Sequence, residues 1–234
     1  MIRLENLTKK FGDLTAVNGI SFEILRGEVF GLLGKNGAGK TTTIRMLTLQ
    51  LLPTSGQIFF QNKLPQGNEL EIKKLIGVVP QHLNFDQDLT VEENLELTAR
   101  LYHLPKNFRQ KKIDELLHFV ELEKVRTSFV KKLSGGMKRR LLIIRALIHS
   151  PKILFLDEPT VALDPQVRRK IWELIQNLKA QGITIILTTH YIEEAEFLCD
   201  RVAIMNVGKL VALDTTENLC AGKSLEEVFI ELTK

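Results

Sequence analysis

GLLGKNGAGKTTTIRML, residues 31–47, sets a group of glycines, two lysines and three consecutive threonines between two apolar stretches. Glycine weakens a strand or a helix because its backbone loses more conformational entropy on folding than that of any other residue. A cluster of glycines directly after an apolar run therefore predicts a turn whose backbone must come close to another group.

Residues 34–41 of this stretch, GKNGAGKT, match the pattern G-x-x-x-x-G-K-S/T. They lie between a predicted strand, EVFGLLG, and a predicted helix over residues 40–52. In such a loop the backbone N–H groups surround phosphate oxygens, and the helix adds the partial positive charge of its first turn. Lys40 is expected to reach the β- and γ-phosphates, and the Thr41 hydroxyl to bind Mg²⁺. The alternative is a flexible loop followed by an incidental Lys-Thr pair, but the flanking strand and helix favour phosphate binding.

The composition is that of a globular protein with a substantial core, since 44% of its 234 residues are hydrophobic and 26% are charged. No apolar run approaches the roughly 20 residues of a membrane-spanning helix, and the N-terminus lacks the apolar stretch of a signal peptide. We therefore expect a cytosolic protein that can still dock on a membrane protein. Cys199 and Cys220 lack metal-ligand or redox spacing. The net charge of +4 is mild, so nucleic acid is not an expected partner.

The order of predicted elements indicates an α/β fold with a mostly parallel sheet. Residues 1–30 alternate polar and apolar positions and predict antiparallel strands. The later predicted strands are GQIFFQN, LIGVVPQ, KILFLD, TIILTTH, VAIMN and KLVALD. Near-continuous apolar strands separated by helices predict a parallel sheet that is covered on both faces. A mostly helical block of about residues 82–150 is predicted as an insertion into this single domain of residues 1–234.

Several residues along the chain are typical of helix starts. Thr90 and Glu93 form a capping box that opens a helix ending near His103, and a second helix is predicted over residues 107–121. Asp164 and Pro165 are typical of a helix N-cap and first helical position. Further helices are predicted from YIEEAEFLC and SLEEVFIELT.

The predicted strand KILFLD ends in two carboxylates, Asp157 and Glu158. The carboxyl ends of strands in α/β sheets are where ligands bind. Asp157 can hold Mg²⁺ through its waters, and Glu158 can orient or deprotonate an attacking water. Acids at strand ends are also often plain helix caps, but their combination with the glycine loop favours the catalytic interpretation.

Ser134, Gly135 and Gly136 open another predicted helix, with Ser134 as a candidate N-cap. The two glycines expose N–H groups that can close on an anion. Three cations, at residues 138–140, follow in the first turn, where the helix dipole disfavours positive charge. A local rule broken in this way often marks a functional site, whereas the alternative is a simple helix start.

The stretch LSGGM, residues 133–137, resembles the signature loop of ATP-binding cassette (ABC) ATPases, which is usually LSGGQ. It lies between a Walker A-like loop and a Walker B-like strand, in the order of that family, and the likeness covers essentially the whole chain. The resemblance implies a P-loop NTPase fold. It also implies that Phe11 stacks on adenine, that Gln81 is the Q-loop glutamine, that residues 161–164 form the D-loop and that His190 is the switch histidine. Each of these alone would be unremarkable, because a lone Phe or His more often packs in a core.

The same resemblance implies two ATP molecules sandwiched in a head-to-tail dimer, with Mg²⁺ as cofactor. The implied catalytic residues are Lys40, Gln81, Glu158 and His190. The implied metal ligands are Thr41, Gln81 and Asp157. The nucleotide contacts are expected from Phe11, Gly34, Lys35, Asn36, Gly37, Ala38, Gly39, Lys40, Thr41 and Thr42 of one chain, and from Ser134, Gly135 and Gly136 of its partner.

The implied partners are a second ATPase subunit, most simply another copy of this chain, and an integral membrane permease contacted through residues 81–132. The protein would thus lie on the cytoplasmic face of the cell membrane. GGMKRRL, TTHYIEEAE and LEEVFIELT resemble the ATPase subunits of drug, polysaccharide and lipid exporters. Met137 replaces the usual signature glutamine, and Val161 stands where a D-loop serine is frequent.

Two alternatives remain open at this stage. One is a non-transport ABC ATPase acting in DNA repair or translation, although such proteins usually carry two cassettes or a long coiled coil. The other is a nucleotide-binding regulator without turnover, for which the loss of the strand-end glutamate would be expected.

Overall fold

The computed structural model describes all 234 residues and contains two sheets flanked by helices. The strands are β1 (Ile2–Phe11), β2 (Leu14–Ile24), β3 (Val29–Leu33), β4 (Ser55–Phe60), β5 (Ile76–Val79), β6 (Ile153–Asp157), β7 (Thr184–Thr189), β8 (Arg201–Asn206) and β9 (Lys209–Thr215). The α-helices are α1 (Lys40–Leu47), α2 (Glu69–Leu75), α3 (Val91–Leu101), α4 (Lys106–Phe119), α5 (Gly135–Leu147), α6 (Pro165–Ala180), α7 (Ile192–Leu198), α8 (Thr216–Cys220) and α9 (Leu225–Leu232). Two short 3₁₀ turns cover Glu123–Val125 and Val130–Lys132.

The central sheet has six strands in the order β5-β6-β7-β3-β8-β9. Its first five strands are mutually parallel, and only β9 runs antiparallel to its neighbour β8. Strands β3, β6 and β7 are buried along their whole length, which explains their near-continuous apolar sequences. The predicted mostly parallel α/β sheet is confirmed.

The N-terminal strands form a second, antiparallel sheet in the order β2-β1-β4. Alternate side chains of these strands point into a hydrophobic cluster that also receives one face of the central sheet, through Phe30, Leu32 and Phe155. The opposite face of the central sheet packs on a larger cluster together with the long helices α5 and α6. The core is therefore double, with one half on each face of the central sheet. None of the helices combines the length and the apolar character that crossing a membrane requires.

Helices α3, α4 and α5 lie between β5 and β6 in the chain, where the sequence predicts the helical insertion. The capping box of α3 is present: Thr90 Oγ1 accepts from the Glu93 amide at 3.2 Å, and Glu93 Oε2 accepts from the Thr90 amide at 2.7 Å. Ser134 caps α5 through the Met137 amide, and Asp164 caps α6 through the Val167 amide. These local polar signals fix the helix starts as predicted.

The structure differs from the sequence-based expectation at the end of α1 and at helix α2. The helix predicted over residues 40–52 ends at Leu47, because Leu49 adopts a left-handed backbone with φ of 58°. The amides of Leu49 and Gln50 then bond to the carbonyls of Met46 and Arg45, which is the Schellman pattern without its usual glycine. Helix α2 was not predicted, since Ile72 is its single buried residue and gives no helical periodicity.

Candidate active site

Four neighbouring parallel strands end at the same edge of the central sheet and carry the predicted site residues there. In spatial order, β5 leads to Gln81, β6 to Glu158, β7 to His190 and β3 to the glycine loop. These positions are far apart in the chain, but the parallel sheet brings them together at its carboxyl edge.

The glycine loop connects β3 to α1 through a backbone that favours glycine. Gly37 and Gly39 have φ values of +82° and +100°, in the left-handed region. A Cβ on Gly39 would lie 2.5 Å from the Ala16 carbonyl oxygen, so the loop also passes close to the N-terminal sheet. Gly39 is the N-cap of α1 and provides no side-chain hydrogen bond to its first turn. The amides at the start of α1 therefore stay available to an anion.

Lys40, the first residue of α1, is 4% exposed and lies under the loop. Its Nζ donates to the carbonyl oxygens of Gly34 at 2.7 Å and Lys35 at 3.1 Å, and lies 3.6 Å from Glu158 Oε1. Burial lowers the pKa of Lys40, while the neighbouring carboxylates of Glu158 and Asp157 act in the opposite direction. The ammonium group is thus held at the centre of the site by two carbonyls and one carboxylate.

Glu158 is the point at which these groups converge. Its carboxylate accepts a hydrogen bond from Gln81 Nε2 at 3.2 Å, and its Oε1 lies 3.3 Å from His190 Nδ1. The His190 contact is close enough for an ion pair, but the ring is not aligned for a hydrogen bond, which leaves Nδ1 buried without a partner. Glu158 itself has a left-handed backbone with φ of 47°, an uncommon conformation for a side chain of this size. Strained backbone of this kind often occurs at functional sites.

A pair of oxygens next to the loop fits Mg²⁺. Thr41 Oγ1 lies 3.1 Å from Asp157 Oδ1, and Thr188 Oγ1 donates to the same carboxylate oxygen at 2.6 Å. Mg²⁺ prefers oxygen ligands and usually takes one or two from the protein, with substrate phosphates and waters completing its shell. The chain has no group of three or more His, Cys, Asp or Glu residues that could hold a metal. A hydroxyl and a carboxylate beside a phosphate loop therefore suit Mg²⁺ better than a metal that needs a full protein cage.

A cavity of about 640 Å³ opens above these groups. Its lining includes the predicted site residues Phe11, Asn36, Gly37, Ala38, Gly39, Lys40, Thr41, Thr42, Gln81, Glu158 and His190. Phe11 is 48% exposed at the rim, with Lys9 Nζ 5.2 Å from its ring centroid. An exposed aromatic ring at the mouth of a polar cavity offers a flat surface to a planar base.

Other predicted residues lie outside this cavity. Gly34 and Lys35 do not line it, and Lys35 Nζ instead donates to the Thr233 carbonyl just after α9, at 2.9 Å. Ser134, Gly135 and Gly136 also do not line it; they form the start of α5. The cavity of one chain thus brings together residues 36–42 of the loop with Gln81, Glu158 and His190, but it includes neither Asp157 nor the signature segment.

The sequence analysis missed part of the rim and one buried positioning residue. Leu14 and Val207 line the cavity although they are 65% and 77% exposed, and the Gly208 amide beside Val207 donates to the Ala38 carbonyl of the loop. Thr188 is fully buried and accepts from the Glu158 amide at 2.9 Å. A threonine inside an apolar strand next to the acidic strand was a usable signal for Thr188. No signal in the sequence joins the distant turns to the loop.

Comparison with known proteins agrees with this geometry. The sequence profile of the family described as "ABC transporter" matches residues 17–161. The chain is 45% identical over 212 residues to the Nod factor export ATP-binding protein I of Ralstonia nicotianae; the match covers 91% of this chain and 66% of that protein.

Two solved structures have the same fold. One is described as the ATP-binding subunit of an ABC transporter, with a TM-score of 0.89, 30% identity and full coverage of both chains. The other is a dimeric post-hydrolysis ATP-binding cassette bound to ADP and Pi, with a TM-score of 0.82, 31% identity and coverage of 92% of this chain and 98% of that one. The chain therefore belongs to the ABC transporter family, as an ATPase subunit of the ATP-binding cassette type.

Proposed function

We propose that this chain hydrolyses ATP in a site shared by two copies and uses the resulting opening and closing to drive a membrane permease. The observation that carries the proposal is the convergence of Lys40, Gln81 and His190 on the carboxylate of Glu158, within 3.6 Å at the mouth of the glycine loop. These groups come from three different strand ends and from α1. Such a set of groups can bind a phosphate, hold a water next to it and accept a proton from that water.

ATP binding is assigned to the loop and the rim. The free amides among residues 36–42 bind the phosphates, whereas the Ala38 amide donates to the Lys35 carbonyl at 3.1 Å. The Lys40 ammonium exchanges its loop carbonyls for phosphate oxygens. Phe11 stacks on the base. Gly34 and Lys35 shape the first half of the loop through their backbone. Thr41, Asp157 and Gln81 hold Mg²⁺, which would neutralise charge on the transferring phosphate when bound.

Hydrolysis is assigned to Glu158 as general base. Its carboxylate accepts from Gln81 and lies next to His190, so both neighbours restrict the direction in which it points. Thr188 Oγ1 accepts from the Glu158 amide and donates to the Asp157 carboxylate, so one hydroxyl holds the base and the metal ligand in fixed positions relative to each other. A positioned base of this kind contributes about 10²–10⁴-fold to a rate.

The second copy is required because the signature segment is absent from the cavity of its own chain. Ser134, Gly135 and Gly136 instead present the first turn of α5 at a separate place, where the amides not bonded by Ser134 can meet the phosphate of another copy's nucleotide. The similar dimeric cassette bound to ADP and Pi supports this arrangement. We propose a homodimer, since one chain supplies both halves of the site.

The permease is proposed to dock on residues 81–132, which comprise the Gln81 loop and most of the helical insertion (about residues 82–150) of the single domain of residues 1–234. Large apolar side chains are exposed on this insertion: Leu83, Leu97, Leu101, Tyr102 and Phe108. Exposed apolar patches of this kind mark sites of contact with other proteins. The relative named for Nod factor export supports export as the direction. The proposed location is the cytoplasmic face of the membrane, as the family resemblance implies.

The test of this proposal uses the two lysines of the loop as a matched pair. Lys40→Ala removes the buried cation of the site and is expected to abolish ATP binding or hydrolysis. Lys35→Ala removes a lysine whose ammonium bonds to Thr233, and ATP binding should weaken by no more than about 1 kcal/mol, the scale of one hydrogen bond. Calorimetric ATP binding and phosphate release are measured on both. Near-normal turnover in Lys40→Ala would overturn the proposal.

A further inference from the structure

We propose that Arg139 is a positioning residue that fixes the Gln81 loop to the start of α5, so that the signature segment and Gln81 move as one unit. Its guanidinium donates from Nη1 to the Pro80 carbonyl at 3.1 Å and from Nη2 to the Gln81 carbonyl at 3.0 Å. Residues 138–140 break the helix-dipole rule in the sequence, and these contacts explain why a cation stands at position 139.

The burial of Arg139 argues that the contact serves positioning more than stability. The residue is 4% exposed, and no carboxylate forms a hydrogen bond to it. Its Nε is buried without a partner. Removing such a charge from water is costly, and an apolar side chain of similar volume is often as stable or more stable. Burial lowers the pKa of Arg139, and the charges of Glu194 and Asp157 only partly oppose this effect.

The two bonds go to consecutive main-chain carbonyls, and this has a mechanical consequence. They fix the path of the backbone at Gln81 but leave its side chain free to donate to Glu158. A planar guanidinium fork can span two carbonyls at once, whereas a lysine ammonium cannot match that geometry. Arg139 therefore sets where Gln81 points without touching the carboxylate or the nucleotide cavity.

A second arginine of α5 extends the attachment along the same loop. Arg145 donates from Nη1 to the Asn84 carbonyl at 2.7 Å and from Nη2 to the Asn84 side chain, and its guanidinium lies 4.7 Å from the Phe85 ring centroid. The helix thus holds residues 80–85 at two points, near its start and near its end. A rotation of α5 would carry this whole segment with it.

The chain contains a matched control next to Arg139. Arg140 lies on the same turn of α5, but its Nη1 donates to the Val120 carbonyl and lies 3.7 Å from Glu121, away from the Gln81 loop. Arg139→Met and Arg140→Met therefore remove the same charge from the same helix. Only the first releases Pro80 and Gln81.

The experiment measures backbone order parameters of residues 81–83 by NMR relaxation in the full-length protein, which does not depend on turnover. In Arg139→Met, these order parameters should fall from about 0.85, the value of rigid backbone, to about 0.6 or below, because the carbonyls of Pro80 and Gln81 lose their donors. In Arg140→Met they should stay at the wild-type values. Arg139→Lys should fall between, because its charge remains and its fork is lost. Thermal unfolding of Arg139→Met should stay at or above that of the wild-type chain.

Steady-state kinetics then separate a positioning role from a merely structural one. Because Gln81 acts on the Glu158 carboxylate in the proposed function, on which this step rests, kcat of Arg139→Met should fall about 10–100-fold while KM for ATP stays nearly constant. Arg140→Met should keep its kcat. Unchanged order parameters at residues 81–83 in Arg139→Met would overturn the attachment, and lower order parameters with unchanged kcat would overturn the positioning role. A Lys40→Ala protein with full turnover would defeat the proposed function instead and leave the comparison of order parameters intact.

Discussion

The carboxyl edge of the central sheet and the first turn of α5 both present glycine-rich backbone, at residues 34–41 and 134–136, but in different surroundings. At the sheet edge, the loop lies beside Glu158, Gln81 and His190 and lines a cavity of about 640 Å³ together with them. The start of α5 is open at Gly135, where Leu163 Cδ2 is the only atom from outside the helix within 4 Å of a Cβ placed on that residue.

A phosphate-binding backbone is therefore not by itself an active site. The sheet edge adds a buried lysine, a base and a metal-ligating pair to its amides, whereas the start of α5 adds a serine cap and little else. The first region can therefore hold and cleave a phosphate, and the second can only close on one that is held elsewhere. A shared site is the arrangement that uses both.

The largest effect on turnover is expected when the proposed base at the sheet edge is removed. Glu158→Gln keeps the shape of the side chain but removes the base, so turnover should fall by about 10²–10⁴-fold while ATP binding persists. Phosphate release and calorimetric ATP binding are measured on the same preparation. Loss of both together would mean that Glu158 serves the fold of the site and not the reaction.

A second prediction concerns the stability of variants at the two adjacent glycines that begin α5. A Cβ on Gly136 would lie 2.6 Å from Val167 Cγ1, whereas one on Gly135 meets nothing closer than 3.9 Å. Gly136→Ala should therefore be about 1–3 kcal/mol less stable than Gly135→Ala, because a short β-branched neighbour cannot move aside. Chemical denaturation measures the difference in unfolding free energy.

The matched rescue is Val167→Ala in the Gly136→Ala background, which should recover most of the lost stability. Equal stabilities of the two glycine variants would contradict the packing. If Gly135→Ala keeps its stability and yet loses ATP-dependent association, the start of α5 contacts the nucleotide and does not only begin a helix.

The smallest effect concerns the rim. Phe11→Ala should weaken ATP binding by roughly 1–3 kcal/mol, the scale of stacking between a base and an aromatic ring, without changing the rate of the chemical step. Phe129→Ala is the control, because Phe129 is a comparably exposed ring with Lys131 Nζ 5.3 Å from its centroid and does not line the cavity. Equal ATP affinities of the two variants would return Phe11 to a packing role.

Much of the fold followed from local patterns in the sequence. Buried parallel strands such as β6 and β7 read as apolar runs, and Thr90, Ser134 and Asp164 gave the starts of three helices through their caps. The end of α1 could not be predicted because its left-handed residue is Leu49, where glycine is usual. Helix α2 buries too little to leave a periodic pattern.

The residues of the site likewise fall into two groups, those that local sequence motifs predicted and those that they did not. The loop and the strand-end acids were visible because each motif is contiguous and the sheet places all strand ends together. Leu14 and Val207 were not, because they reach the cavity only through contacts between turns that are almost 200 residues apart. Likewise, no pattern showed that the Lys35 ammonium bonds to Thr233, or that Arg139 bonds to the Gln81 loop. These are tertiary contacts of exposed or rule-breaking cations, and each depends on which element packs beside it.

The shared site is tested most directly by the association state of Glu158→Gln with ATP in the absence of Mg²⁺, measured by size-exclusion chromatography with light scattering. We predict a dimer with ATP and a monomer without it. Adding Ser134→Arg should abolish the dimer by blocking the start of α5, whereas adding Ser224→Arg, which removes the equivalent cap of α9, should preserve it. A Glu158→Gln protein that binds ATP and remains monomeric at high concentration would contradict the shared site.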